Sequence, residues 1–200
     1  MPKGFSEREK TLIRAKLCEK GSELFGAYGL RKTNVEDLTR AVGISKGAFY
    51  LFYDSKEELF LDLLEQFEAD YQAAMLTTIA QGAGPARERL KALLHDALRT
   101  WKDNALFAQL SKEEFEHLFR KLPEERVQAH LNSDDAFAVE FIEAWRNVGV
   151  TIACEPEVVA GLIRALFFVS IHEEDFGAGV YPRVIDVYVD LLARYLVSGL

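Results

Sequence analysis

Between residues 33 and 59 the chain reads Thr-Asn-Val-Glu-Asp-Leu-Thr-Arg-Ala-Val-Gly-Ile-Ser-Lys-Gly-Ala-Phe-Tyr-Leu-Phe-Tyr-Asp-Ser-Lys-Glu-Glu-Leu. The glycine at position 43 restricts the fold more than any other residue. Two short segments with helical spacing meet there, and a tight angle between helices needs a residue at positive φ, which glycine adopts without a Cβ penalty. Leu38 and Val42 face inward from the first segment. Ile44 fills the angle, and Phe49 and Phe52 hold the second segment from below. Ser45 offers an N-cap for a helix over 46–52. Lys46, Gly47, Ala48, Tyr50 and Leu51 are left on or near the outer face. This is the plan of a helix-turn-helix DNA reader.

Helical spacing continues along the chain, and no stretch alternates as a strand would. A first helix is predicted over 7–28, with Ile13, Leu17, Leu24, Phe25 and Tyr28 as its inner stripe and Gly29 as its stop. Gly21 lies on that stripe, where glycine costs about 1 kcal/mol against alanine, and so marks a close helix crossing. Thr33 and Glu36 have the form of a capping box, predicting a helix over 35–42. Asp54 or Ser55 starts a long helix to about residue 79, with Glu58 completing a second box. Its inner face carries Leu59, Leu63, Phe67 and Tyr71, and Gln81-Gly-Ala-Gly-Pro85 ends it. Further helices are expected over 86–104, 111–121, a short one after Pro123, then 134–148, 157–173 and 182–197. The fold class is all-α. A three-helix helix-turn-helix DNA-binding domain is expected over 1–55, and a helical dimerisation and effector-binding domain over 56–200.

The net charge of −8 would argue against a nucleic-acid partner if it were evenly spread. It is not. Residues 1–56 hold 11 Lys/Arg against 7 Asp/Glu, a balance of +4, and residues 57–200 hold 13 against 25, a balance of −12. A basic N-terminal quarter on an acidic body is the asymmetry of a nucleic-acid face. No run of about 20 apolar residues offers a membrane span. The N-terminus lacks the apolar core of a signal peptide, so a cytoplasmic protein is expected. Cys18 and Cys154 are far apart and have no metal-ligand spacing. No phosphate loop and no nucleophile with a partnered base stand out, so no enzyme, cofactor or metal is expected.

On the reader, Gly47 and Ala48 permit close approach to base edges, and Ala48 suits a thymine methyl. Ser45 and Lys46 open the reading helix, and Tyr50, Tyr53 and Lys56 offer phosphate donors just beyond it. Asn34 and the first amides of the preceding helix suit a backbone phosphate, with Thr33 beside them. Arg31, Lys32 and Arg40 add long-range attraction. Here the chain resembles the DNA-binding domain of the TetR family of bacterial transcriptional regulators. Thr33, Val35, Leu38, Val42-Gly43-Ile44-Ser45, Gly47, Tyr50, Phe52-Tyr53 and Ser55-Lys56-Glu57-Glu58-Leu59 fall at the family's fixed spacing. Thr39 and Gly21 stand where the family usually has alanine. Leu51 replaces a polar phosphate-binding residue. The resemblance covers residues 8–60.

For the acidic remainder the resemblance implies dimerisation and often ligand sensing. The segment 158–171 is apolar nearly all round except for Arg164, which demands burial on more than one face. The last helix carries a broad apolar stripe. Leu162, Leu166, Val184, Tyr188, Leu191 and Leu192 are the expected homodimer contacts, since a palindromic operator asks for a two-fold pair of readers. An aromatic-rich middle suggests a pocket for a small hydrophobic effector, formed by Trp101, Phe107, Phe115, Phe141, Trp145, Phe168 and His172. His95, Gln109, His117 and Arg146 are further polar candidates. His172-Glu-Glu-Asp175 has no metal-like geometry, because adjacent carboxylates at a helix end diverge. The implied function is a repressor that binds a palindromic double-stranded DNA operator and is released by the effector. The alternative is an architectural or partner-controlled DNA binder without one.

Overall fold

In the computed structural model, residues 5–108, 110–177 and 179–197 are described. Among them every regular element is helical: α1 (Glu7–Tyr28), α2 (Val35–Val42), α3 (Lys46–Phe49), α4 (Lys56–Gln81), α5 (Ala86–Asp103), α6 (Lys112–Lys121), α7 (Glu124–Asn147), α8 (Pro156–Ile171) and α9 (Tyr181–Val197), with a 3₁₀ turn over Glu173–Phe176. The described residues fall into two compact units. One comprises Met1–Phe67 with Asp103–Pro123, and the other Glu68–Lys102 with Glu124–Leu200. Compactness therefore divides the chain elsewhere than at residue 55. α4 contributes to both units, and α6 joins the unit of the reader.

Local chemistry sets the helix ends in the first unit. Ser6 and Glu9 form a reciprocal capping box at the start of α1. Gly29, at φ 82°, ends that helix by donating its N–H to the Phe25 carbonyl. The cap of α2 is Asn34, whose side chain accepts from the Asp37 N–H at 2.9 Å. Thr33, expected in that role, instead donates its hydroxyl to the Gly29 carbonyl at 2.9 Å and is buried. Gly21 meets α4 closely: a Cβ there would stand 3.1 Å from Leu59 Cδ2. The inner stripe of α1 is Leu17, Gly21 and Phe25, while Tyr28, expected on it, is exposed. Phe25 and Phe60 pack edge to face at 5.3 Å, and Phe107 joins Phe67 at 4.9 Å.

The second unit encloses its own apolar core. Met75, Ile79, Leu90, Leu94, Phe141, Trp145, Val159, Leu166, Val189 and Leu196 belong to it. The short helix expected after Pro123 and the one expected over 134–148 are a single helix, α7. Asn132, Ser133 and Asp134 are weak helix formers and read as a break. Burial of His130, Ala138, Phe141 and Trp145 along one side carries the helix through them. No helix among the described residues is long and apolar enough to cross a membrane.

Candidate nucleic-acid interface

The reader rests on two turns that the sequence encodes locally. Gly43 sits in the left-handed region at φ 79°, ψ 35°, and donates its N–H to the Thr39 carbonyl at 2.9 Å. Ser45 then caps α3, accepting from the Ala48 N–H at 3.1 Å. The α-helix proper ends at Phe49, shorter than the expected 46–52. Leu51 and Phe52 donate to the carbonyls three residues back, so the chain tightens into 3₁₀-like turns. Phe49 is fully buried and anchors the helix from below.

Outward, Ser45, Lys46, Gly47, Tyr50 and Leu51 are exposed, and Ala48 is half-buried. A Cβ at Gly47 would meet nothing nearer than Ser45 Oγ at 4.0 Å, so this side of the helix is open to a groove. Lys46 Nζ lies 2.5 Å from Glu36 Oε1, which ties α3 to α2. That hydrogen bond raises the Lys46 pKa and lowers that of Glu36. The lysine is held charged and aimed, with a carboxylate that a phosphate can replace. Asn34 is exposed at the head of α2. A groove of about 420 Å³ on the α1–α2 side is lined by Leu24, Tyr28, Lys32, Thr33, Asp37, Arg40 and Ala41, adding two cations to the face.

Two expected phosphate donors turn inward. Tyr53 is buried at 4% exposure, with its hydroxyl 3.5 Å from Cys18 Sγ and the Arg14 guanidinium 5.1 Å from its ring. Burial pushes its phenol well above the usual tyrosine range. Lys56 Nζ donates to the carbonyls of Leu30 at 2.6 Å, Arg31 at 3.2 Å and Thr33 at 2.6 Å. It staples the α1–α2 loop to the start of α4, and desolvation lowers its pKa. These two side chains and that of Thr33 build the frame that presents α3. α6 braces both the loop and the start of α4: Glu114 accepts from the Arg31 N–H at 3.2 Å, and His117 Nε2 lies 3.3 Å from the buried Glu57. These braces are 83 and 60 residues apart in sequence, and no local pattern announces them.

The expected effector residues divide between the two units. Phe107 and Phe115 belong to the first unit, where Phe107 is buried against Phe67 and Phe115 packs on Phe119 at 4.7 Å. In the second unit Phe141 and Trp145 are core residues at 0% and 1% exposure. Trp101 packs on Phe167 at 5.4 Å, Phe168 is exposed, and His172 Nδ1 pairs with Asp175 at 2.8 Å. Gln109 lies outside the described residues. Arg146 pairs with Glu143, its neighbour on α7. A groove of about 580 Å³ opens in this unit and takes in two of the expected residues, Trp145 and His95. It is lined by Thr78, Ile79, Arg89, His95, Arg99 and Trp145, among others.

The expected dimer residues divide. Leu166 and Leu192 are buried in the core of their own unit at 0% and 4% exposure and have no surface to offer a partner. Leu191 is 56% exposed, and Leu162, Val184 and Tyr188 are half-buried. Val187 and Tyr195, which the sequence reading left out, extend the exposed stripe of α9, and Val158 and Phe168 are exposed on α8.

Gly43, the capped α3 and its open outer side define a helix-turn-helix protein. Residues 17–63 match the family model described as bacterial regulatory proteins, tetR family. Over these residues the chain carries the DNA-binding domain of that family, and its helical fold is shared with solved TetR-family regulators. It is 33% identical over 82 residues to the HTH-type transcriptional repressor DhaR of Mycobacterium sp. (strain GP1), covering 41% of each chain. It is 30% identical over 135 residues to the regulator YuxN of Bacillus subtilis, covering 64% of this chain and 44% of that one. The chain thus spans less than half the length of these curated relatives. Among solved structures, a TetR-family regulator from Pectobacterium atrosepticum superposes with TM-score 0.67 at 18% identity, covering 97% of this chain and 98% of that one. The Thermus thermophilus repressor FadR, solved with lauroyl-CoA, gives TM-score 0.60 at 22% identity, covering 94% of each chain.

Proposed function

We propose that the protein is a cytoplasmic repressor that binds a palindromic operator as a homodimer and is released by a small hydrophobic effector. The observation that carries the DNA reading is the outer side of α3, where Ser45, Lys46, Gly47, Tyr50 and Leu51 stand exposed on a rigidly capped turn. In this reading residues 1–55 hold the DNA contacts. Gly47 and Ala48 approach base edges, and Lys46, Tyr50 and Asn34 meet phosphate. Thr33, Tyr53 and Lys56 act by positioning. The dimer reading is supported by the exposed apolar stripe of Val187, Leu191 and Tyr195, continued by half-buried Val184 and Tyr188. A stripe of that kind at helical spacing is a surface to be covered. Leu162 contributes from α8.

The effector reading leans on relatives of the same fold, one of which binds lauroyl-CoA. In this chain the groove lined by Ile79, Leu93 and Trp145 beside Arg89, His95, Asp96 and Arg99 is the place for such an effector. A second reading, a DNA binder without a small-molecule effector, is favoured by the full burial of Phe141 and Trp145 in the core.

The test is fluorescence anisotropy of the purified chain on the DNA flanking its own gene, with footprinting. A protected palindrome, lost in Tyr50→Ala and Lys46→Ala variants that melt like wild type, supports the reading. Equal affinity for any sequence refutes it. Release of the footprint by long-chain acyl compounds separates the effector reading from its alternative.

A further inference from the structure

We propose that the second unit holds a binding site for a first-row divalent metal ion, formed by Glu68, His130 and Asp134. Glu68 comes from α4, and His130 and Asp134 come from α7. The last two are four residues apart and so share one helix face. One ligand atom from each of the three residues lies within 4.8 Å of the other two. Donors bound at about 2.0–2.2 Å to one ion stand about 3 Å apart, so modest side-chain rotation closes the set.

Three further features fit an ion. First, His130 is buried and the Glu68 and Asp134 side chains are only 27% and 25% exposed, so the cluster is partly withdrawn from bulk water. Second, His130 Nδ1 and Glu68 Oε2 stand 3.7 Å apart, beyond hydrogen-bond length but close to the spacing of two donors on one cation. Third, Asp134 is held in place. Its Oδ2 accepts from Arg164 Nε at 3.2 Å and Nη2 at 3.0 Å, which fixes the carboxylate on α7. Metal-bound carboxylates are commonly anchored this way by a second hydrogen bond. Arg164 is the one charged residue in the otherwise uncharged run 158–171, and this anchoring gives it a purpose.

The donor set selects the ion. One imidazole nitrogen with two carboxylate oxygens suits zinc, manganese or cobalt(II), whereas magnesium and calcium prefer oxygen alone. Three protein donors leave at least one position for water or for an acidic ligand.

The site is tested by calorimetric titration of the full chain, stripped with chelator, with ZnCl₂ and MnCl₂ and with MgCl₂ as control. One zinc or manganese ion per chain with micromolar or tighter affinity is expected. Glu68→Gln and Asp134→Asn should each weaken it at least tenfold while circular dichroism stays unchanged. His172→Ala, which removes a half-buried imidazole paired with Asp175, should leave it intact. Cobalt(II) titrated into wild type should give visible d–d absorption that Glu68→Gln abolishes, a readout that stands even if Asp134→Asn does not fold. No saturable binding, or binding and absorption that persist in the Glu68 variant, would overturn the proposal. No DNA enters these measurements, so their failure leaves the operator reading untouched.

Discussion

At the scale of single residues, the reader separates side chains that present from side chains that hold. Lys46 and Lys56 look alike in sequence, both lysines beside a reading helix, yet one salt-bridges an exposed carboxylate and the other is spent on three carbonyl oxygens. Lys56→Met strands those acceptors, at about 1–3 kcal/mol for unmet buried polar groups. Its urea midpoint should fall while the operator affinity of the folded protein stays near wild type. Lys46→Ala should do the reverse, weakening DNA binding with little change in the melt, and a shared pattern in the two variants would sink the distinction. Gly43→Ala forces a Cβ into φ 79° and should cost about 1–2 kcal/mol, read as a lower urea midpoint at constant slope. These residues also mark how far the sequence could be read. The roles of Gly43, Ser45 and Gly29 were legible because a cap or a turn is decided within four residues. Thr33 and Asn34 each have an acidic residue three positions on, so local rules admit either as the cap of α2. The Gly29 carbonyl, by taking the Thr33 hydroxyl, decides between them. The inward turns of Tyr53 and Lys56 rest on partners 35 and 26 residues away, which no spacing rule encodes.

At the scale of elements, α9 shows why an apolar stripe alone did not define an interface. Ile185, Val189, Leu192 and Leu196 face its own core, while Val187, Leu191 and Tyr195 face outward. A helix with two apolar stripes gives no sign in sequence of which one stays within the chain, and so Leu192 was assigned to a partner. α7 failed in the other direction: a local run of weak formers was overruled by the face it buries. The pairing of α5 with α9 has a polar component that can be titrated. Asp190 accepts from Arg87 Nη2 at 2.5 Å, lies 3.2 Å from Lys91 Nζ and 2.9 Å from Arg194 Nε. The hydrogen bonds from Arg87 and Lys91 hold its carboxyl down at about 2. Its folded pKa therefore lies below the unfolded value of about 4, so the stabilisation is complete above pH 4 and fades as pH falls through the folded value. Asp190→Asn should be less stable than wild type at pH 7, and the gap should close between about pH 4 and pH 2. Chemical denaturation across that range measures it, and a gap independent of pH would assign the loss to packing.

At the scale of the whole molecule, the balance of charge sets how the protein meets DNA. A balance of +4 over residues 1–56 is carried on a chain of −8, so the attraction to DNA comes from the cations of the reader and not from the charge of the whole chain. Each phosphate neutralised releases counterions, and the logarithm of affinity falls with the logarithm of salt at about 0.9 per contact. A dimer engages two readers and a monomer one, so the salt slope counts subunits on the DNA. Val187→Asp with Leu191→Asp places two carboxylates on the exposed stripe of α9 without entering the core, because both positions are more than half exposed. Paired across a two-fold interface, four like charges would oppose association. The double variant should sediment as a monomer, melt near the wild-type temperature at matched low concentration, and lose operator affinity. Its residual binding should show about half the wild-type salt slope between 50 and 200 mM salt, because half the phosphate contacts remain. An unchanged slope with a monomeric sedimentation profile would mean that one chain makes all the DNA contacts. A dimer that survives both carboxylates would move the interface off α9.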